Sequence, residues 1–212
     1  MELWFIHGWG FDARFWDAVC ERLETYKCRR LDQGYYGGAR SDIPSAPDCV
    51  LIGHSLGLVY GMTQREDWAG WVGINGFPRF VRAQGLLGCA AAAELRELRR
   101  NLGRYGGHAL QRFYAHIGGV PPAGQPDIDR LRGGLDELRD LHLRHPTAVP
   151  ALILASENDP LVPRETSAAL ATMSSNSQLL WHTEGGHCLP QTAPAWCAEA
   201  IASFVQQHFG AK

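Results

Sequence analysis

The chain has 212 residues, of which 45% are hydrophobic and 20% charged, and its formal net charge is −2. This length accommodates one domain with a sizeable core and a large insertion, and the near-neutral charge argues against a nucleic-acid-binding protein. No apolar run approaches the roughly 20 residues that span a bilayer. No signal peptide is recognisable either, so we expect a cytoplasmic protein without a membrane partner.

Six short apolar runs, separated by segments rich in glycine and proline, predict the strands of a sheet. They cover residues 3–6, 28–31, 49–52, 71–74, 151–155 and 178–181. Helical patterns cover residues 12–24, 55–66, 163–173 and 194–209, and residues 33–48 have the composition of a loop. Strands that alternate with helices predict an α/β fold whose mostly parallel sheet is covered on both faces.

Residues 79–145 differ in character from the rest of the chain. They contain no strand-like run but three helical patterns, at 83–103, 107–117 and 127–144. We therefore predict an α/β core formed by residues 1–78 and 146–212. A helical lid, residues 79–145, is inserted after the fourth strand.

The stretch Gly53-His54-Ser55-Leu56-Gly57 joins the third strand to a helix. In a nucleophile elbow, a sharp strand-to-helix turn exposes a serine hydroxyl above the sheet, and the flanking glycines allow strand and helix to approach closely. A glycine-rich turn with an ordinary serine has the same sequence. Ser55 is therefore a candidate nucleophile only if a base and an acid lie elsewhere in the chain.

Candidates for both partners follow the last two strands. Asp159 comes just after strand 151–155 and His187 just after strand 178–181, which gives the chain order Ser, acid, His that accompanies such an elbow. Two alternatives stay open for the acid: Glu157 is a rival, and Asp159 could merely cap a turn. For His187 the alternative is an ordinary surface loop.

The remaining histidines are weaker candidates for the base. His54, beside Ser55, is expected to pack or to line the site rather than to act as base. His182 lies at the end of a strand, and the others of interest lie in the lid: His108, His116, His142 and His145.

Acyl transfer also needs N–H donors directed at the developing oxyanion. The backbone N–H of Leu56, directly after the nucleophile, is one candidate. The loop after the first strand, His7-Gly8-Trp9-Gly10, offers the N–H of Trp9 as the second, with its indole as a wall of the pocket.

The sequence predicts neither a metal nor a cofactor. The six cysteines and nine histidines lack the paired spacing of a zinc site, and no glycine-rich phosphate loop is present. We expect free thiols in a reducing compartment.

These residues, from the His7-Gly8-Trp9-Gly10 loop to His187, resemble those of the α/β-hydrolase superfamily over nearly the whole chain. Within it the chain is similar to the pimeloyl-acyl-carrier-protein methyl ester esterases (the BioH type). Three stretches carry this narrower likeness: the first loop, residues 133–141 together with 151–164, and Gln111-Arg112-Phe113.

The resemblance implies a serine carboxylesterase that cleaves a methyl ester while the acyl chain is attached to its acyl carrier protein. The expected partner is that carrier protein, and we expect a monomer. By position, it assigns the catalytic triad to Ser55, Asp159 and His187, the oxyanion hole to Trp9 and Leu56, the acyl pocket to Trp9, Phe80 and Phe113, and the carrier contact to Arg112.

The charge of the lid agrees with an acidic partner. Residues 79–145 contain 11 Arg, no Lys and seven acidic residues, which leaves nine basic and 15 acidic residues elsewhere. A basic lid on an acidic body could steer an acidic carrier electrostatically. The alternative is an ordinary solvated helical face with local pairs among Glu94, Glu97, Arg96, Arg99 and Arg100.

Some features depart from the family. The two leading antiparallel strands are absent, a loop at 33–48 replaces a helix, and later lid arginines are replaced by Gly118, Gly119, Pro121 and Pro122. The substrate therefore stays open. The alternatives are a general short-chain carboxylesterase or thioesterase, a carbon–carbon hydrolase of the same fold, and a non-catalytic ligand receptor.

Overall fold

In a computed structural model, which describes residues 1–43 and 48–210, six strands form one sheet. The strands are β1 (Glu2–Ile6), β2 (Lys27–Leu31), β3 (Cys49–His54), β4 (Gly70–Ile74), β5 (Ala151–Ser156) and β6 (Ser177–His182). Their order is β2-β1-β3-β4-β5-β6, and every neighbouring pair is parallel. The predicted α/β sheet is therefore confirmed, and its carboxyl ends all meet at one edge.

Helices cover both faces of this sheet. The α-helices of the described residues are α1 (Asp17–Cys20), α2 (Leu56–Gln64), α3 (Ala92–Tyr105), α4 (Gly107–Ile117), α5 (Ile128–Asp140), α6 (Arg164–Ala171), α7 (Leu189–Thr192) and α8 (Pro194–Phe209). Alternate strand residues point to opposite faces. Phe5 of β1 belongs to the core with Ile201 of α8, whereas its neighbour Ile6 packs with Leu58 of α2 and Leu170 of α6.

Five of the seven predicted helices are shorter in the structure, and two of them differ most from the prediction. The first is a 3₁₀ turn, Ala13–Trp16, followed by the single turn of α1. The helix predicted at 83–103 begins only at Ala92, because residues 80–90 fold into a turn closed by backbone hydrogen bonds from Arg82 to Ala90 and from Cys89 to Phe80. Gly85, with φ of 71°, lies within this turn. Residues 44–47 of the predicted loop lie outside the described residues.

The helices α3, α4 and α5 belong to the insertion between β4 and β5, here called the helical insertion (residues 79–145). Its α5 is tied to the core. The indole Nε1 of Trp9 donates to the carbonyl of Leu131 at 2.8 Å. Glu137 lies between two guanidinium groups, those of Arg40 at 2.8 Å and Arg130 at 3.2 Å. These contacts join α5 to the loops that follow β1 and β2, at the carboxyl edge of the sheet.

Two further observations concern the described part of the chain. It contains no helix long and apolar enough to cross a membrane. No disulfide links the six cysteines, all of which are described and four of which are buried.

Candidate active site

Ser55 occupies a strained turn between β3 and α2. Its φ of 52° and ψ of −124° lie where non-glycine residues are rarely found. Such a conformation is what a nucleophile elbow requires, since it directs the side chain away from both the strand and the helix.

The two glycines of the elbow are required by close approach, as the sequence predicted. A Cβ at Gly53 would lie 2.3 Å from Cα of Leu58. A Cβ at Gly57 would lie 2.2 Å from the carbonyl oxygen of Ile6 and 2.6 Å from that of His7. Helix α2 therefore crosses β1 at backbone contact distance, which no larger residue permits.

Replacing Gly57 with alanine is expected to destabilise the protein by about 3 kcal/mol, because backbone carbonyls cannot move aside as a flexible side chain can. Chemical denaturation of both proteins measures this difference. Gly107→Ala is the matched control, since a Cβ there meets no atom within 4 Å. Equal stability of the two variants would contradict the close packing of the elbow.

Asp159 and His187 lie on the loops after β5 and β6 and contact each other. Nδ1 of His187 donates to Oδ2 of Asp159 at 2.8 Å, and the two side chains are only 3% and 1% exposed. Oδ1 of Asp159 accepts from the backbone N–H groups of Leu161 at 2.8 Å and Val162 at 3.0 Å. The carboxylate is therefore fixed, with one oxygen left for the imidazole.

This hydrogen bond determines what His187 can do. With the proton held on Nδ1, the lone pair of Nε2 is free to accept one. Ser55 and His187 line the same cavity. The rival acid Glu157 instead forms an ion pair with Arg164 at 2.9 Å, so Asp159 is the carboxylate that meets the imidazole.

His54 lies beside this pair but is engaged elsewhere. Its Nε2 donates to the backbone carbonyl of His187 at 2.9 Å, and the two rings are 4.8 Å apart. Burial, and secondly the proximity of His187, lower the pKa of His54 well below its ordinary value. His54 is thus a neutral, packed residue, as the sequence predicted.

The loop after β1 is held on several sides. Nδ1 of His7 donates to the carbonyl of Gly8 at 2.9 Å, and the hydroxyl of Tyr114 on α4 donates to the carbonyl of Gly10. Trp9 is 4% exposed and its ring meets that of Phe113 edge-to-face at 4.7 Å. Trp9 therefore forms a wall of the cavity, while its backbone N–H stays a candidate oxyanion donor.

Leu56 is the other candidate donor. It is the first residue of α2, where a backbone N–H has no acceptor within the helix. The positive end of the helix dipole adds to its attraction for a negative oxygen.

A cavity of about 910 Å³ opens above Ser55, between the sheet and the helical insertion. It contains all the candidate substrate residues of the sequence analysis: Trp9, Phe80, Arg112 and Phe113. Its lining combines apolar and aromatic side chains with several polar ones, which is the usual composition of a pocket for a small organic group.

Three features of this region were not predicted from the sequence. His108 and His116 line the cavity with Arg112, at the four-residue spacing that places side chains on one face of α4. That spacing could have indicated their position. Asn75, described further below, makes contacts with the loops of both partner residues that local sequence does not reveal.

Two other kinds of catalytic group to consider are a thiol nucleophile and a metal site. Burial raises the pKa of the Cys188 thiol, next to His187, to about 12, so it is not an activated nucleophile. Among the described residues, no cluster of three or more His, Cys, Asp or Glu could hold a metal ion.

Comparison with known proteins identifies relatives of two kinds. The family model of serine hydrolase (FSH1) matches residues 64–197, a span that contains Asp159 and His187 and begins after Ser55. The chain is 26% identical to the pimeloyl-[acyl-carrier protein] methyl ester esterase of Pectobacterium carotovorum over 97% of its own length and 94% of that protein.

Solved structures share the fold. An esterase from Exiguobacterium antarcticum superposes with a TM-score of 0.81 at 18% identity, covering 97% of this chain and 92% of the other. A bromoperoxidase from Bacillus anthracis gives a TM-score of 0.76 at 16% identity, covering 97% and 91%. The fold is that of the α/β-hydrolases, which carries several different activities.

Proposed function

We propose that this chain, which belongs to the serine hydrolase (FSH1) family, hydrolyses the methyl ester of pimeloyl-acyl carrier protein in biotin biosynthesis, because it is similar over nearly its full length to an esterase of that name. The coarser function, a serine esterase of the α/β-hydrolase fold, follows from its relatives. The observation that supports the proposed chemistry is the 2.8 Å hydrogen bond from His187, which lines the same cavity as Ser55, to the buried Asp159.

In the proposed mechanism, Oγ of Ser55 attacks the ester carbonyl while Nε2 of His187 takes its proton. The N–H groups of Trp9 and Leu56 stabilise the oxyanion of the tetrahedral intermediate. When this collapses, His187 returns the proton to the methoxy oxygen, and methanol leaves. Water then attacks the acyl-Ser55 ester with His187 again as base, which releases the carboxylic acid and restores the serine.

The rings of Phe80 and Phe113 border the cavity, where they can pack against the hydrocarbon chain of the acyl group. Arg112 lies at the rim, exposed to solvent. In this arrangement the ester reaches Ser55 while the thioester end of the acyl chain points outward to the carrier.

The surface of the insertion favours an acidic carrier. Arg99 pairs with Asp136 of α5 at 3.2 Å, and Glu94 pairs with Arg82 at 3.1 Å. These pairs reach beyond α3, unlike the local pairs of the alternative interpretation. Three other exposed arginines follow one another at four-residue spacing on α3, without a carboxylate within 4.0 Å among the described residues: Arg96, Arg100 and Arg104.

The substrate is tested by growth of a biotin-requiring strain that lacks its esterase. Wild type is expected to restore growth, whereas Ser55→Ala is not. Absence of rescue by well-expressed wild-type protein would reject the pimeloyl substrate.

The role of the carrier is tested by comparing methyl pimeloyl-acyl carrier protein with free methyl pimelate at low and high salt. Arg112→Glu is expected to lower kcat/KM for the carrier-linked ester about tenfold at low salt, with less effect at high salt, because salt screens charges at the surface. Arg22→Glu, an exposed arginine of the core, is the matched control and should leave this value unchanged.

The opposite result is equally informative. Equal, salt-independent rates on both esters would reject a carrier contact and favour a general short-chain carboxylesterase. A wild-type protein that fails to react with a fluorophosphonate at Ser55 would favour the non-catalytic receptor.

A further inference from the structure

Asn75 is a buried polar residue at the carboxyl end of β4, between the loops of the candidate triad. It is 1% exposed, and its φ of 44° lies in the left-handed region, which asparagine tolerates better than most residues. A buried side-chain amide in such a conformation has a cost that its hydrogen bonds must offset.

Both ends of the Asn75 amide are engaged by main-chain groups. Oδ1 accepts from the N–H of Ser156 at 2.9 Å. Nδ2 donates to the carbonyls of Gly186 and His187, each at 2.9 Å. One side chain therefore joins the end of β5, three residues before Asp159, to the loop that carries the imidazole.

The main chain around Asn75 adds the third segment. The N–H of Ser55 donates to the carbonyl of Ile74 at 3.1 Å, and the N–H of Asn75 itself donates to Leu154 at 2.8 Å. The turn of the nucleophile, the strand before the acid and the loop of the base thus all bond to residues 74 and 75.

The carbonyl of His187 has a second donor, Nε2 of His54 at 2.9 Å. His54 adjoins Ser55 in sequence, so this bond again links nucleophile and base. Nδ1 of His54 is buried and has no hydrogen-bond partner among the described residues, so this side chain bonds through Nε2. Loss of Asn75 would remove both bonds that its Nδ2 makes to the His187 loop. Other bonds to this loop would stay, among them those from the Gly186 N–H to Asn158 and from Oγ1 of Thr192 to the carbonyl of Gly185, each at 2.9 Å.

We propose that Asn75 is a positioning residue that sets the distance between Ser55 and the His187–Asp159 pair. This inference rests on the proposed serine esterase mechanism. Proton transfer from a serine to an imidazole depends steeply on the separation of the two atoms, and a displacement of about 1 Å can reduce the rate about 100-fold. Asn75 is not among the residues that line the cavity, and it acts through the backbone of the loops.

The principal test is Asn75→Gly, because glycine accepts the left-handed conformation without strain while the amide is removed. We expect kcat for a nitrophenyl ester to fall about 10- to 100-fold, with KM within about twofold of wild type, since the cavity walls are unchanged. The matched control is Ser174→Ala. Ser174 is also buried and lies near the opposite end of β5. Its hydroxyl donates to the carbonyl of Val149 at 2.7 Å and accepts from the N–H of Asn176 at 3.1 Å. This control should lose stability but keep kcat.

A second variant, Asn75→Asp, adds a pH signature. An aspartic acid of nearly the same shape can donate to one of the two carbonyls, and only when it is protonated. Burial raises the pKa of a carboxyl group, and the ionised form would face both carbonyls without a proton to donate. Its kcat relative to wild type should therefore fall as the pH rises from about 6 to about 9.

The outcomes separate the proposals. Suppose that wild type hydrolyses esters and that the kcat of Asn75→Gly equals that of the control Ser174→Ala. The positioning role is then overturned, and the esterase mechanism stands. If Asn75→Gly does not fold, the test is the kcat of Asn75→Asp divided by that of wild type. A ratio that stays constant with pH overturns the positioning role. If wild type hydrolyses no ester, the esterase mechanism and the positioning role fail together.

Discussion

Replacing Ser55 with alanine is expected to lower kcat for ester hydrolysis by at least about 10⁴-fold. Alanine has no hydroxyl to form the acyl-enzyme, so only substrate binding and the oxyanion donors would remain. Hydrolysis of a nitrophenyl ester measures the loss, and mass spectrometry should show a fluorophosphonate adduct on Ser55 of the wild type and none on the variant.

The control for this substitution is Ser177→Ala. Ser177 begins β6 and its hydroxyl donates to the carbonyl of Ala171 at 2.7 Å, far from the carboxyl edge of the sheet. It should hydrolyse the ester as wild type does. Ser55 itself makes no side-chain cap to α2, so its removal should leave the fold intact. Activity of Ser55→Ala above about a tenth of wild type would mean that another nucleophile operates.

Asp159→Asn is expected to lower kcat on the order of 10³- to 10⁴-fold. The carboxamide oxygen would take the position of Oδ1, because that atom accepts from the N–H groups of Leu161 and Val162. Its NH₂ group would then face Nδ1 of His187 and donate to it. The imidazole would carry its proton on Nε2, and so could not accept one from Ser55.

The matched variant is Glu157→Gln, which removes the charge of the rival acid. Glu157 is 39% exposed and pairs with Arg164 at the surface, where such pairs contribute little. Ester hydrolysis by this variant should be within about twofold of wild type. Pre-steady-state kinetics of both variants would locate the loss in acylation. A larger loss in Glu157→Gln than in Asp159→Asn would reverse the assignment of the acid.

Local sequence patterns were sufficient to predict the strands of the sheet and the turn at Ser55. The six apolar runs are strands in the structure, with ends shifted by at most two residues. A short strand that is buried on both faces consists of consecutive apolar residues, so the local sequence is enough to predict it. The elbow could be predicted equally well from its glycines, because they allow a close contact between a strand and the helix that immediately follows it.

The structure at the beginning of the insertion could not be predicted from local sequence. Residues 83–91 are rich in alanine and leucine, which favour a helix, yet backbone bonds between Phe80 and Cys89 impose a turn. The same limit applies to charge. Composition shows that the insertion is basic, but only the structure shows that Arg99 is paired with Asp136 while Arg96, Arg100 and Arg104 face solvent.

By itself, the sequence determined the α/β fold, the order of Ser55, Asp159 and His187, and their places after three strands. Tertiary structure decided which carboxylate meets His187 and which residue joins the three loops. Asn75 and Gly186 are separated by 111 positions in the chain. Contacts of this kind leave no local pattern, because they form only when the parallel strands bring their carboxyl ends to one edge of the sheet.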